Sequence, residues 1–88
     1  MLGKAQRDAE LAFEKDQLTK ADTDLELGRT RYRNQQELLA DMATKGRDTV
    51  QAERLLQLFG QTLSQWECHR ELILHRIAHL EALNQMPE

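Results

Sequence analysis

Proline is nearly missing from this chain: its one proline, Pro87, stands next to last among 88 residues. Cysteine is as scarce. Cys68 has no second cysteine to pair with, which excludes an intrachain disulfide framework and favours a reducing compartment. Aromatic residues make up 5% of the chain, and regular turn signals between β-branched runs are lacking, which excludes a β-sandwich. No apolar run approaches the ~20 residues that span a bilayer. The first residues, MLGKAQRDAELAFEKDQ, lack the apolar core of a secretory signal. Charge of one sign is also lacking. The net charge is −3 with acids and bases interspersed, so nothing pulls the chain strongly towards nucleic acid or an anionic membrane. The expectation is one small, soluble, cytoplasmic domain.

What the chain has is charge, glutamine and helical periodicity. In the second half, Ala52, Leu56, Phe59, Leu63, Trp66, Ile73, Ile77 and Leu80 recur at alternating steps of four and three, with Arg70 as the polar member. That is a heptad seam sustained over about four heptads. A weaker seam of the same period runs through the first half. Leu11, Leu18, Leu25, Tyr32 and Leu39 fall every seventh residue, alternating with Glu14, Ala21, Gly28, Gln35 and Met42. Both halves are expected to be helices.

Between them lies MATKGRDTVQAE. Lys45 suits a last helical turn, and Gly46 suits the position just past a helix end, where a left-handed backbone costs little. Asp48 is a good N-cap, and Gln51 three residues on completes a capping-box pattern. A stop signal followed at once by a start signal predicts a hairpin: helix one over 3–45, a corner at 46–48, and helix two over 48–85. Folding the seams together pairs Leu39 with Leu56, Gln35 with Phe59, Tyr32 with Leu63 and Gly28 with Trp66. It continues with Leu25 facing Arg70, Ala21 facing Ile73 and Leu18 facing Ile77. Large thus meets small, as close packing requires. Arg70 is expected to snorkel to Asp22 or Glu26.

The seams leave apolar residues over. Leu55, Leu58, Leu72, Leu74 and Leu83 flank the second, and Phe13, Leu27 and Leu38 lie off the first. A bare two-helix unit would expose them, so a second copy forming a homodimeric four-helix bundle is expected, with Gly60 permitting close approach. The rival is a hairpin that docks a different protein.

Other chemistry is weaker. Cys68, Glu71, His75 and His79 share one stripe, and thiol and imidazole donors a turn apart can bind zinc. The stripe lies opposite the seam, so a solvated face is the simpler reading, with a metal-responsive module on Cys68, His75 and His79 as the alternative. Arg29, Arg31 and Arg33 surround Tyr32 in GRTRYR, but neighbouring acids and the negative net charge argue against a nucleic-acid site. Membrane-surface binding is weaker still. No catalytic constellation, phosphate loop or dinucleotide fingerprint occurs, so neither enzymatic activity nor a cofactor is expected.

Gly46, Arg47, Asp48 and Thr49, then Ala52, Leu55 and Leu56, and later His69 and Arg70 form a pattern. It resembles small uncharacterised helical-hairpin proteins of alphaproteobacteria, with a Gly-[His/Arg]-Asp-Thr corner followed by Ala-x-x-Leu-Leu. The resemblance covers roughly residues 28–77 and implies a bacterial origin, with no activity assigned. Taken together, the residues predict a self-associating protein–protein interaction or scaffold module.

Overall fold

A computed structural model describes residues 3–86. They form two α-helices, α1 (Lys4–Thr44) and α2 (Val50–Gln85), packed against each other as an antiparallel hairpin. No strand occurs among the described residues. The hairpin is a rod of 68 × 15 × 14 Å. Its length follows from the 1.5 Å rise of a helix some forty residues long.

The corner is built as a Schellman motif. Gly46 sits at φ 68°, in the left-handed region that glycine enters without steric cost. Its N–H donates to Ala43 O at 3.1 Å, and the Arg47 N–H donates to Met42 O at 2.9 Å. These bonds satisfy carbonyls that the end of α1 would otherwise leave open. Lys45 braces the same turn through Asp41 at 3.0 Å.

Helix α2 begins later than the capping-box pattern predicts. The side chain of Asp48 does cap, with Oδ1 accepting the Val50 N–H at 3.0 Å. Thr49, however, has φ −105° and ψ 1°, and the first intrahelical bond runs from the Glu53 N–H to Thr49 O. Val50 is therefore the first helical residue. The corner spans 45–49 instead of 46–48, and α1 is one residue shorter at each end than the expected 3–45. Gln51 is exposed.

Every seam residue from Leu11 to Met42 and from Ala52 to Leu80 is buried or half-buried. Leu25 and Ile73 are each only 1% exposed, and Ala21, Ile73 and Ile77 form a core against which Leu11 and Leu18 pack. The facing pairs differ in detail from simple folding of the seams. A Cβ built on Gly28 would lie 2.8 Å from Leu63 Cδ2 and 3.1 Å from Trp66 Cζ3, so Gly28 lies between the two side chains. Arg70 reaches Asp22, one of the two carboxylates expected for it.

Two polar locks lie outside the apolar pattern. Near the corner, buried Gln35 donates from Nε2 to Ala52 O at 3.1 Å. At the open end, Asn84 accepts from Arg7 Nε at 3.0 Å and donates to Asp8 Oδ1 at 3.1 Å.

Candidate interaction surface

The hairpin has two unlike long sides. Residues immediately after a seam position project to one flank, and residues immediately before it project to the other. Because the helices run antiparallel, like flanks of α1 and α2 adjoin.

The following flank is ionic. Lys15 pairs with Glu81 at 3.7 Å and Arg29 with Glu67 at 3.8 Å. Asp22 accepts from Arg70 Nε at 2.5 Å, and Glu71 stands 4.0 Å from Arg70 Nη1. The Arg70 guanidinium is held above its ordinary range, first by the hydrogen bond to Asp22, then by the charge of that carboxylate; burial opposes this and Glu71 adds a smaller push. Gly60 also lies on this flank, and a Cβ built on it would fall 3.3 Å from the Tyr32 ring. Its small size thus serves packing inside the hairpin.

The preceding flank is where the leftover apolar residues lie. Eight large hydrophobic side chains are between 41% and 64% exposed: Phe13, Leu27, Leu38, Val50, Leu55, Leu58, Leu72 and Met86. Six of them occupy the preceding flank; Val50 lies off it, and Met86 stands just past the end of α2. Along the rod the six fall near the corner (Leu38, Leu55 and Leu58), near the middle (Leu27 and Leu72) and towards the open end (Phe13, with half-buried Leu83 on α2). Polar residues such as Lys20, Arg31, Thr62 and Gln65 separate them. Leu74, the remaining flanking leucine, is half-buried on the ionic side. Glu14, the polar seam member on α1, sits at the edge of the apolar flank with a side chain 13% exposed. Its Oε1 is 3.7 Å from Arg76 Nη1, and its buried Oε2 has no protein partner.

The remaining sequence candidates do not converge. Cys68, Glu71, His75 and His79 are all exposed. Cys68 and His75 stand two turns apart, about 10 Å along the axis. No group of three or more His, Cys, Asp or Glu side chains among the described residues is placed to hold a metal ion. In GRTRYR, Arg29 is engaged by Glu67, Tyr32 is half-buried over Gly60, and Arg31 and Arg33 are exposed. The concavities are troughs open to solvent, one along Tyr32, Leu56 and Gly60, another along Arg29, Cys68 and Arg70. No helix among the described residues is long and apolar enough to cross a membrane.

Apolar periodicity alone does not mark Asn84 and Gln35 as interhelical locks. A seam-phase signal exists for both, since each falls at a seam position with a polar side chain. Compared with known proteins, the chain matches no family model, no curated protein and no solved structure.

Proposed function

We propose that this protein is a non-enzymatic interaction module that self-associates side by side into a homodimeric four-helix bundle and acts as a scaffold or regulatory element. The observation that carries the reading is the excess of surface. The chain exposes 6769 Å² for a mass of 10.2 kDa, whereas a compact monomer of that mass exposes roughly 5,300 Å². The excess comes with half-exposed leucines, which a soluble chain ordinarily covers. Two helices in contact along one seam bury only one stripe each, and a second hairpin is the simplest cover.

The same reading takes the chain as cytoplasmic, in keeping with its free, exposed Cys68, and as one of the alphaproteobacterial hairpins whose corner it resembles. Nucleic acid and membranes are not its partners, because the exposed arginines are interspersed with acids. The test is sedimentation equilibrium over a wide range of protein concentration. A dimer supports the reading. A well-folded monomer at every concentration overturns it and turns the apolar flank into a docking surface for a different protein.

A further inference from the structure

We infer that the self-association surface is the single flank carrying Phe13, Leu27, Leu38, Leu55, Leu58 and Leu72, and that its occupant is the same flank of a second copy. The inference rests on the self-association reading above and assigns it a face. Three observations carry it.

First, exposure is one-sided. Of the eight exposed large hydrophobic side chains among the described residues, six share this flank; Val50 lies off it and Met86 stands beyond the end of α2. The opposite flank carries the Lys15–Glu81, Arg29–Glu67 and Arg70–Asp22 pairs. A copy docked there would have to strip water from charges already paired within the chain, and desolvating them costs more than new contacts would restore. The apolar flank has one interhelical ion pair, Arg76–Glu14, near its open end.

Second, the area suffices. A rod of 68 × 15 Å offers a long face of footprint on the order of 1,000 Å², and a stable interface takes about 800 Å² from each partner. The face therefore meets the requirement only if nearly its full length is used.

Third, the apolar clusters are spaced for self-matching. Counted along the helices from the corner, Leu27 and Leu72, staggered by about 7 Å, lie on average about 20 Å from the corner cluster and about 20 Å from the open-end residues. A two-fold axis along the rod lays each cluster near its own copy. An axis across the rod at the level of Leu27 and Leu72 exchanges the end clusters and keeps apolar against apolar. Even spacing of this kind suits a second copy in register, and an unrelated helix would need a matching spacing of its own.

The experiment compares the full chain with Leu27→Glu/Leu58→Glu on the apolar flank and with Gln57→Arg/Ser64→Arg on the ionic flank. Circular dichroism verifies helicity and sedimentation equilibrium reads association. The expected result is a dimer dissociation constant raised on the order of 100-fold or more in the leucine variant, and little changed in the control. If the unaltered chain is monomeric, the self-association reading fails, and this assignment with it. If the unaltered chain dimerises but the leucine variant stays equally dimeric, or the control dissociates, only the face is wrong.

Because charged leucine variants can also unfold, methyl relaxation by a soluble paramagnetic chelate is measured on the unaltered chain. Val50, 48% exposed and off the flank, serves as the internal standard. The methyls of Leu27, Leu58 and Leu72 are expected to be shielded relative to Val50 in the associated protein. Equal broadening of all four overturns the assignment.

Discussion

The edge of the Trp66 indole covers Gly28: a Cβ placed there would stand 3.1 Å from Trp66 Cζ3, with Leu63 Cδ2 nearer still at 2.8 Å. A glycine in mid-helix costs about 1 kcal/mol relative to alanine. The cost is offset here because the largest side chain of α2 fits against bare backbone. Gly60 shows the milder version of the same relationship, with the Tyr32 ring 3.3 Å from where a Cβ would fall.

The two glycines should therefore respond differently to alanine. Gly60→Ala gains helix propensity of about 1 kcal/mol against a ring edge that needs to move only slightly, so its stability is expected to rise or stay level. Gly28→Ala meets overpacking worth about 1–3 kcal/mol, chiefly against the rigid Trp66 ring, which cancels or exceeds the same gain. Urea unfolding at fixed protein concentration should rank Gly60→Ala above the unaltered chain or level with it, and Gly28→Ala at or below it. A Gly28→Ala protein more stable than its parent would contradict the packing described for Trp66.

Adjacent residues on α2 should separate folding from association. Ile73 is 1% exposed while Leu72 is 53% exposed. Ile73→Ala removes core volume and should cost about 2–5 kcal/mol, a large share of the stability of a domain this small. Leu72→Ala should leave the helical signal intact and weaken association. Thermal unfolding and sedimentation, run side by side, check both. Equal loss of stability in the two variants would mean that the flank is part of the hairpin's own core.

The corner makes a conformational prediction. Gly46 holds φ 68° with no atom crowding its missing Cβ, so Gly46→Ala suffers only backbone strain, about 1–2 kcal/mol. Asp48→Ala forfeits the bond to the Val50 N–H and should cost about 0.5–2 kcal/mol. Gln51→Ala should cost little, because the cap bond runs from Val50 to Asp48 and Gln51 is exposed. Chemical denaturation of the three variants tests this order, and a Gln51→Ala loss matching that of Asp48→Ala would restore the reciprocal capping box.

Arg70 interrupts an otherwise apolar seam and is held there by Asp22. Its raised pKa stabilises the fold at every pH below the ordinary guanidinium range, and the contribution fades only as pH climbs through the raised value. The arginine therefore adds no pH dependence near neutrality. Arg70→Leu continues the seam and is expected to raise the melting temperature, while Asp22→Asn alone is expected to lower it slightly, because the solvent-accessible guanidinium keeps only Glu71 at 4.0 Å. If Arg70→Leu melts below Asp22→Asn, the pair contributes more than the apolar contact it displaces.

Much of this architecture is legible in the sequence because the heptad period and the corner rest on local rules. The steps from Ala52 to Leu80 specify one buried stripe, and Lys45-Gly46 followed by Asp48 specifies a stop and a start. The corner length is less legible. Thr49 adopts φ and ψ that no residue type demands, so α2 starts two residues after Asp48. The Arg70–Asp22 pair is legible in the register of the two seams, whereas the closer approach of Leu63 than of Trp66 to Gly28 is set by packing in three dimensions. The surplus apolar residues are visible one by one in the sequence, but their gathering on one flank depends on how two antiparallel helices bring like sides together. Spacing alone suggests Gly60 for the approach of a second copy. Its neighbour across the hairpin, Tyr32, is fixed by packing, which spacing does not convey.

The central claim is lateral pairing of hairpins, and small-angle X-ray scattering tests it most directly. Lateral pairing predicts a forward-scattering mass of twice 10.2 kDa, a maximum dimension still close to 68 Å, and a cross-section clearly thicker than that of the single hairpin. A particle of 10.2 kDa with the radius of gyration of one hairpin, 19.7 Å, or a doubled mass with a markedly longer maximum dimension and an unchanged cross-section, would contradict it.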